Sequence, residues 1–449
     1  MRGSKTLSAR DGKARYAKYK PTGIPWLPQV PEEWEVRRAA SFLKVKDAPS
    51  APDEELLSVF LDRGVIRFSD GGEKRANATS KDLSKYQLVV PGDFVLNNQQ
   101  AWRGSVGVSP YRGIVSPAYF VVQLGDCIDP RYANIAFRSK PFVCVFELCS
   151  RGVGSIQRNL IWNMFKQRHL PLPPLPEQRE IVAFLDEKCG KVDRLVAAKE
   201  KEVALLKELR ERVIADAVTG RRGTGNGERG TVESCAETQS RRGKTKPSGI
   251  PWLPEVPEGW VVRKIKYLFK ERSEKGHPEE PPLCSTQAYG VIPQSLYENR
   301  VVTTNKEGLA LQKLVMVGDF VISLRAFQGG IEIAHYQGII SAAYTILEPC
   351  EPNFTPYFRW LFKAQSFIEL LKTCVTGIRE GQNINYQLLS RKFIPLPPLP
   401  EQREIVAYIE AKTAKIGAAV AGLEREIAAL KEYKQRLIAD VVTGQRRVA

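Results

Sequence analysis

The sequence predicts a duplicated mixed α/β (α+β) protein, with two globular domains separated by two long α-helices that form an antiparallel coiled coil. Three observations predict it. Landmarks recur along the chain at nearly one offset, each copy holds a region of short strands and turns, and each ends in a proline run followed by 3-4 apolar spacing.

The repeat comes first. Pro21-Thr-Gly-Ile-Pro-Trp26-Leu-Pro-Gln-Val-Pro-Glu-Glu-Trp34 returns as Pro247-Ser-Gly-Ile-Pro-Trp252-Leu-Pro-Glu-Val-Pro-Glu-Gly-Trp260, a shift of 226. Gly92-Asp93-Phe94-Val95 returns as Gly318-Asp319-Phe320-Val321 at the same shift. Leu170-Pro-Leu-Pro-Pro-Leu-Pro-Glu-Gln-Arg-Glu-Ile-Val-Ala183 returns over 394–407, and Val213–Gly220 over 437–444, both shifted by 224. A period this long is outside the range of solenoid units, roughly 20–50 residues. Charge is duplicated as well: residues 1–220 carry 35 basic and 26 acidic side chains, and residues 221–449 carry 32 and 24. The excess gathers before each proline run, with seven Lys/Arg against one Glu over 131–168 and six against two over 359–392.

In chain order, residues 1–20 form a basic extension. Residues 21–170 and 247–393 read as globular domains: runs such as Tyr119–Leu124 and Phe320–Leu324 are strands between Gly/Pro/Asn/Asp turns, and 357–363 is helical. Residues 171–220 and 394–449 are each a stiff proline hinge and a helix, with Pro176 in the first turn and Glu177 and Glu180 near the positive end of the dipole. Val182, Leu185, Cys189, Val192, Val196, Lys199, Val203, Leu206, Arg210 and Val213 make the first seam. Val406, Ile409, Thr413, Ile416, Val420, Leu423, Ile427, Leu430, Lys434 and Leu437 make the second. Eight of ten positions in each are apolar, a coiled-coil pattern. A helix of about 40 residues is roughly 60 Å long and needs a partner along its seam, which the other copy supplies. Gly220 and Gly444 close the helices. Residues 221–246, with seven basic and three acidic side chains and little apolar content, read as a flexible connector.

Composition bounds the function. The chain has 449 residues, 43% hydrophobic and 26% charged, which excludes a wholly disordered protein. No stretch approaches the ~18 apolar residues of a membrane span, and the N-terminus lacks a signal peptide's apolar run. Eight cysteines without a C-x2-C pair indicate neither zinc nor a disulfide framework, so a reducing cytoplasm is the simplest compartment. The formal charge of +17 points to a polyanion, although a solvated basic face would give the same total. Catalytic signatures fail one by one. Gly243-Lys244-Thr245 imitates a P-loop end, but position 238 is Thr and no strand precedes it. His169, His277 and His335 have no metal-ligand spacing. Asp93 and Asp319 read as turn residues, and Trp26, Trp34, Trp252 and Trp260 as core anchors.

The twin Pro-Leu-Pro-Pro-Leu-Pro-Glu-Gln-Arg-Glu-Ile-Val-Ala segments, the Gly-Ile-Pro-Trp-Leu-Pro openings and the Gly-Asp-Phe-Val strands resemble the specificity subunits of Type I restriction-modification systems, over almost the whole chain. The resemblance implies two target-recognition domains, each reading one half of a bipartite asymmetric site on double-stranded DNA. It implies spacer helices on which two methyltransferase (modification) subunits dock, with motor-nuclease (restriction) subunits recruited to the complex. The holoenzyme would be a site-specific deoxyribonuclease and adenine DNA methyltransferase. S-adenosylmethionine, ATP and Mg would serve those partners, with no cofactor or catalysis in this chain, no membrane, and a cytoplasmic location. Residues 1–20 and 221–246 lie outside the shared pattern.

Base reading needs paired donors and acceptors, with Arg for guanine and Asn or Gln for adenine. Asn97, Asn98, Gln99, Gln100 and Arg103 follow the Gly-Asp-Phe-Val strand, and Ser323, Arg325 and Gln328 hold the same place in the second copy with different chemistry. An ordinary polar loop weighs equally. A second set, Arg151, Gln157, Arg158 and Asn159 with Arg379, Gln382, Asn383 and Asn385, lies on Gly-rich turns suited to phosphates. Arg63, Arg67, Lys74 and Arg75 read as phosphate contacts or as a solvated charge run. The coiled coil would set the half-sites about one turn of DNA (~34 Å) apart. Two other functions fit the residues: the specificity subunit of a stand-alone DNA methyltransferase, and an architectural coiled-coil adaptor that binds proteins.

Overall fold

The computed structural model describes residues 15–47, 51–71, 82–152, 158–221, 244–297, 306–376 and 383–448. The chain forms two compact units: residues up to Glu200 together with those from Arg425 onward, and Lys201–Glu424. Each unit therefore holds one domain, the first half of the helix that follows it, and the last half of the other helix.

In the first unit the domain is built on a four-stranded antiparallel sheet in the order Leu43–Val45, Tyr119–Leu124, Phe94–Asn97, Val106–Val108. Strands Leu57–Phe60 with Gly64–Arg67 and Gln87–Val89 with Gly113–Val115 add two smaller ladders. Helices Pro130–Arg138 and Lys140–Leu148 follow. Asp129 caps the first, accepting the amides of Arg131 and Tyr132. The alternation of the strand explains the core: Phe94 and Leu96 face Phe137, Phe142 and Phe146, while Val95 faces Val121 and Val115 in a smaller cluster. The second unit repeats this. Its sheet runs Phe269–Arg272, Thr345–Pro349, Phe320–Ile322, Glu332–Ile333, and helices Thr355–Leu361 and Gln365–Lys372 cover a core of Phe269, Phe320, Phe358, Phe362 and Phe367.

The proline run departs from the expected hinge. His169–Leu172 is a strand paired with Glu35–Arg38, Pro171 opposite Val36, and Phe393–Leu396 pairs with Val261–Lys264. Each ladder has only two strands, so a proline without an N–H is tolerated. The expected boundaries at 170 and 393 thus fall inside domain strands. Gln178 then fastens the helix start: its amide donates to the carbonyls of Cys127 (2.9 Å) and Pro173 (2.8 Å) and accepts from the Asp129 amide (2.7 Å). Glu177 accepts from Trp34 Nε1 at 2.9 Å and from the Tyr16 hydroxyl.

The two long helices are Leu175–Val218 and Leu399–Val442, 44 residues each. In the first unit Val182 and Leu185 share one core with Leu437, Val441 and Val442, so the halves run antiparallel. In the second unit Ile214, Ala217 and Val218 meet Ile405 and Ile409 in the same sense. Of the seam positions, Val182, Leu185, Val192, Val196, Val203, Val213, Ile409, Ile427 and Leu437 are buried. Leu206, Val406, Ile416, Val420, Leu423 and Leu430 are half-buried, and Arg210 is exposed. Lys431 pairs with Glu200 at 2.8 Å in the first unit, and Lys207 with Glu424 at 3.1 Å in the second. These two pairs are images of each other at the 224 shift. As exposed ion pairs they contribute little stability, but they select the antiparallel register.

Each helix ends against the domain of the other copy. Gly220 and Gly444 have φ of 70° and 71°, and the amide after each reaches back to the carbonyl of Asp216 (3.0 Å) or Asp440 (2.7 Å). These are Schellman ends. Buried Tyr357 donates to the Val218 carbonyl at 2.9 Å, and buried Tyr132 lies at 3.5 Å from that of Val442. Burial pushes both phenols far above their ordinary range.

Candidate nucleic-acid interface

The strand Phe94–Asn97 delivers the chain into a turn and a short 3-10 helix, Ala101–Arg103, that stops at Gly104 with φ of 98°. One of the expected reading groups on this turn, Asn97, has a structural duty. Asn97 accepts the Gln99 amide (3.1 Å) and donates to the Tyr119 hydroxyl (3.4 Å). Asn98 is half-buried, and its Oδ1 meets no donor among the described residues. Gln99 and Arg103 are exposed, and Gln100 is half-buried.

Trp102 joins this loop to the second expected set. Its indole N–H donates to the Gln99 carbonyl (3.1 Å), and its ring carries the Arg103 guanidinium at 4.6 Å and that of Arg158 at 4.8 Å. Arg158 also pairs with Glu147 at 3.1 Å. The Leu160 amide donates to the Asn98 carbonyl (3.1 Å), and Arg151 faces Asn159 across a two-stranded ladder. Segments some 55 residues apart therefore form one surface, rich in donors and held by an aromatic plate.

The second unit places its residues differently. After Phe320–Ile322 the chain enters helix Ala326–Gly329, with exposed Arg325 at its N-cap and Gly330 (φ 88°) at its end. Ser323, Arg325 and Gln328 border a cavity of about 360 Å³ with Gln287 and Tyr344. Inside it stands Glu332, 3% exposed and paired with Lys363, which also donates to the Gly329 carbonyl (3.1 Å). Burial pushes the Glu332 carboxyl up against the pull of Lys363. Asn383 lies in a ladder opposite Thr376. Asn385 caps helix Tyr386–Leu389 by accepting the Leu388 amide (3.3 Å), so its side chain is spent on the fold. Gln157, Arg379 and Gln382, like Lys74 and Arg75, lie outside the described residues.

Other expected groups are structural. Asp93 accepts the Val90 amide (2.9 Å) and Lys46 (2.8 Å), and Asp319 accepts the Met316 amide (2.9 Å) and Arg272 (2.9 Å). Both carboxylates sit under the turn that starts the central strand. Trp34 and Trp260 are fully buried. Arg63 bonds the Asp70 carbonyl (3.1 Å) and Arg67 pairs with Glu55 at 3.5 Å, so neither presents an unengaged charge. The basic clusters are likewise partly neutralised: Arg131 pairs with Asp186 at 2.5 Å and Arg359 with Glu410 at 3.9 Å. Sequence reasoning missed the plate at Trp102 and the acid at Glu332. Among the described residues no His/Cys/Asp/Glu group could hold a metal ion, and no helix is long and apolar enough to cross a membrane.

Comparison with known proteins agrees with this arrangement. The family model for the Type I restriction modification DNA specificity domain matches twice, over residues 31–204 and 257–427. Each match runs from a domain into its helix. The MjaX type I restriction enzyme specificity subunit of Methanocaldococcus jannaschii is 23% identical over 94% of this chain and 95% of its own. The EcoKI specificity subunit of Escherichia coli is 21% identical over 81% of this chain and 76% of its own. A solved chain from work on complex assembly and conformational transition of the type I R-M system covers 92% of this chain and 98% of its own, with a TM-score of 0.64 and 17% identity, a likeness of fold. With both domains matched along their length, the chain belongs to the Type I restriction modification DNA specificity family and has the role of a DNA-sequence specificity subunit.

Proposed function

We propose that each domain reads one half of a bipartite asymmetric duplex site, and that the chain carries out no chemistry itself. The observation that supports this is a common frame with unlike tips. The Gly-Asp-Phe-Val strand, its buried aspartate and its following turn are duplicated, yet one turn presents Gln99, Trp102 and Arg103 and the other Arg325 and Gln328 beside a buried acid. Two domains that read different bases need this combination. Two methyltransferase subunits would dock on the helices and motor-nuclease subunits would join them in the cytoplasm, bringing S-adenosylmethionine, ATP and Mg. Mapping modified adenines in host DNA is the test, and a two-part motif with unlike halves is the expected result. A single continuous or symmetric motif would contradict the reading.

Affinity should carry the signature of phosphate contacts. Binding of the full chain to its target is expected to weaken by a factor of roughly 10³ or more between ~50 and ~200 mM salt. A protein-binding adaptor would show no DNA requirement and no such slope.

Trp102 acts as a positioning residue in this scheme, since it holds Arg103 and Arg158 on one ring. Trp102→Ala is expected to cost about 1–2 kcal/mol, roughly five- to thirty-fold in affinity, for a target with both half-sites. Trp102→Phe keeps the ring and should recover most of it. On a duplex carrying only the second half-site the variant should match wild type in titration, and an equal loss there would remove the role.

A further inference from the structure

The buried acid of the second unit has no counterpart in the first. By strand register Glu332 stands opposite Val321, the valine of Gly-Asp-Phe-Val, and the residue opposite Val95 in the first copy is Gly107. Gly107 is closely packed on backbone: a Cβ there would lie 3.1 Å from the Cα of Gly64 and from the Val65 nitrogen, so the neighbouring backbone would have to give. The second copy has replaced this backbone packing with a carboxylate inside a cavity. A desolvated carboxylate costs free energy unless its lone pairs are used. Lys363 uses Oε1, and no described residue donates to Oε2.

The rim of the cavity is the turn that carries the expected reading residues, Ser323, Arg325 and Gln328. A carboxylate is an acceptor only. In the major groove guanine and thymine present acceptors, and adenine sets its amino group beside an N7 acceptor. Cytosine alone presents its N4 amino group without an adjacent acceptor.

We propose that this cavity is a base-reading pocket of the second domain, in which Glu332 accepts a hydrogen bond from the 4-amino group of a cytosine and Lys363 holds the carboxylate in place. The pocket rests on the reading that this domain binds DNA. Lys363 is a positioning residue, since it also pins the reading turn through the Gly329 carbonyl. The two half-sites are then chemically unlike: the first is read from a guanidinium-bearing surface, the second in part from an anion.

The test is selection by the full chain from duplexes randomised across the target. The wild type is expected to favour cytosine about tenfold or more at one position of the second half-site. Glu332→Gln, whose amide both donates and accepts, is expected to cut that preference to about threefold or less and to admit adenine. The first half-site should be unchanged, and so should the other positions of the second half-site, which certifies that the second domain is folded. Glu332→Ala combined with Lys363→Met removes the ion pair as a unit and should lose the preference too. A measurement on the DNA needs no variant: wild-type protein should bind about tenfold more weakly to a duplex whose cytosine lacks its 4-amino group. If that duplex binds as well as the parent, or if both variants keep the cytosine preference, Glu332 and Lys363 are a structural ion pair only and the pocket is overturned. A second half-site read without any cytosine overturns the pocket and leaves DNA reading intact. A wild-type chain that selects no sequence in that half overturns both.

Discussion

Gly444→Ala is expected to lower the stability of the first unit by about 2–5 kcal/mol, and Gly220→Ala should do the same to the second. Two costs combine. The backbone at Gly444 has φ of 71°, where an alanine is disfavoured by about 1–2 kcal/mol. Its Cβ would also run into the Pro31 ring, with Trp34 behind it at 3.4 Å. At Gly220 the Cβ would lie 2.5 Å from Pro257 Cδ and 3.3 Å from the Trp260 ring. Overpacking of this kind costs about 1–3 kcal/mol more. Gly23→Ala separates the terms: its φ is also 71°, but nothing lies within 4 Å of the added Cβ, so only the backbone cost applies. Calorimetry with limited proteolysis should show two transitions, with Gly444→Ala moving the first unit and Gly220→Ala the second. For units of this size a shift of roughly 4–15 °C is expected. If Gly444→Ala proves no worse than Gly23→Ala, the helix end is not docked on the Pro31–Trp34 corner.

That corner shows why the fold could be read from the sequence and the site only in part. Pro31, Trp34, the proline run, Gln178 and Gly444 are all landmarks of the repeat, and in the structure they meet at one joint. Periodicity and duplication report such framework residues directly, because backbone geometry and burial act the same way in both copies. The 3-4 spacing likewise follows from helix geometry alone. What it could not show is that the ends of the seam sink into the domain cores, as Leu185 and Ile409 do. Tertiary packing is not written in a period.

The surface proposed for reading is built from contacts distant in sequence. Nothing in the spacing of Trp102 and Arg158 indicates that one ring bears two guanidinium groups. Asn385 looked like a base reader because amides serve caps and bases alike, and only its bond to the Leu388 amide decides between them. Glu332 was hidden by a one-residue slip. A constant shift of 226 sets it against Val106, whereas the ladders set it against Gly107. A charge at the place of a buried glycine would have been conspicuous had the register been known.

Lengthening both helices by one heptad is expected to move the two half-sites apart by about three base pairs without changing a base in either. Each long helix starts in one unit and finishes in the other, so neither can change length alone. The chosen insertion points are after Ala204 and after Ala428, at which the Lys199–Glu426 pair is given up. Both lie between the images Glu200–Lys431 and Lys207–Glu424, so both ion pairs survive. Seven helical residues add about 10.5 Å, close to three steps of 3.4 Å along DNA. The inserted heptads must carry apolar seam positions to keep the register. Inserting into only the central helix would displace its Gly220 end from Pro257 and Trp260 by the same 10.5 Å or force the seam out of phase, so folded protein should be lost. Mapping of modified adenines reads the outcome for the double insertion. An unchanged gap would mean that something other than the helices sets the spacing, and altered bases within a half-site would mean that the domains do not read independently of them.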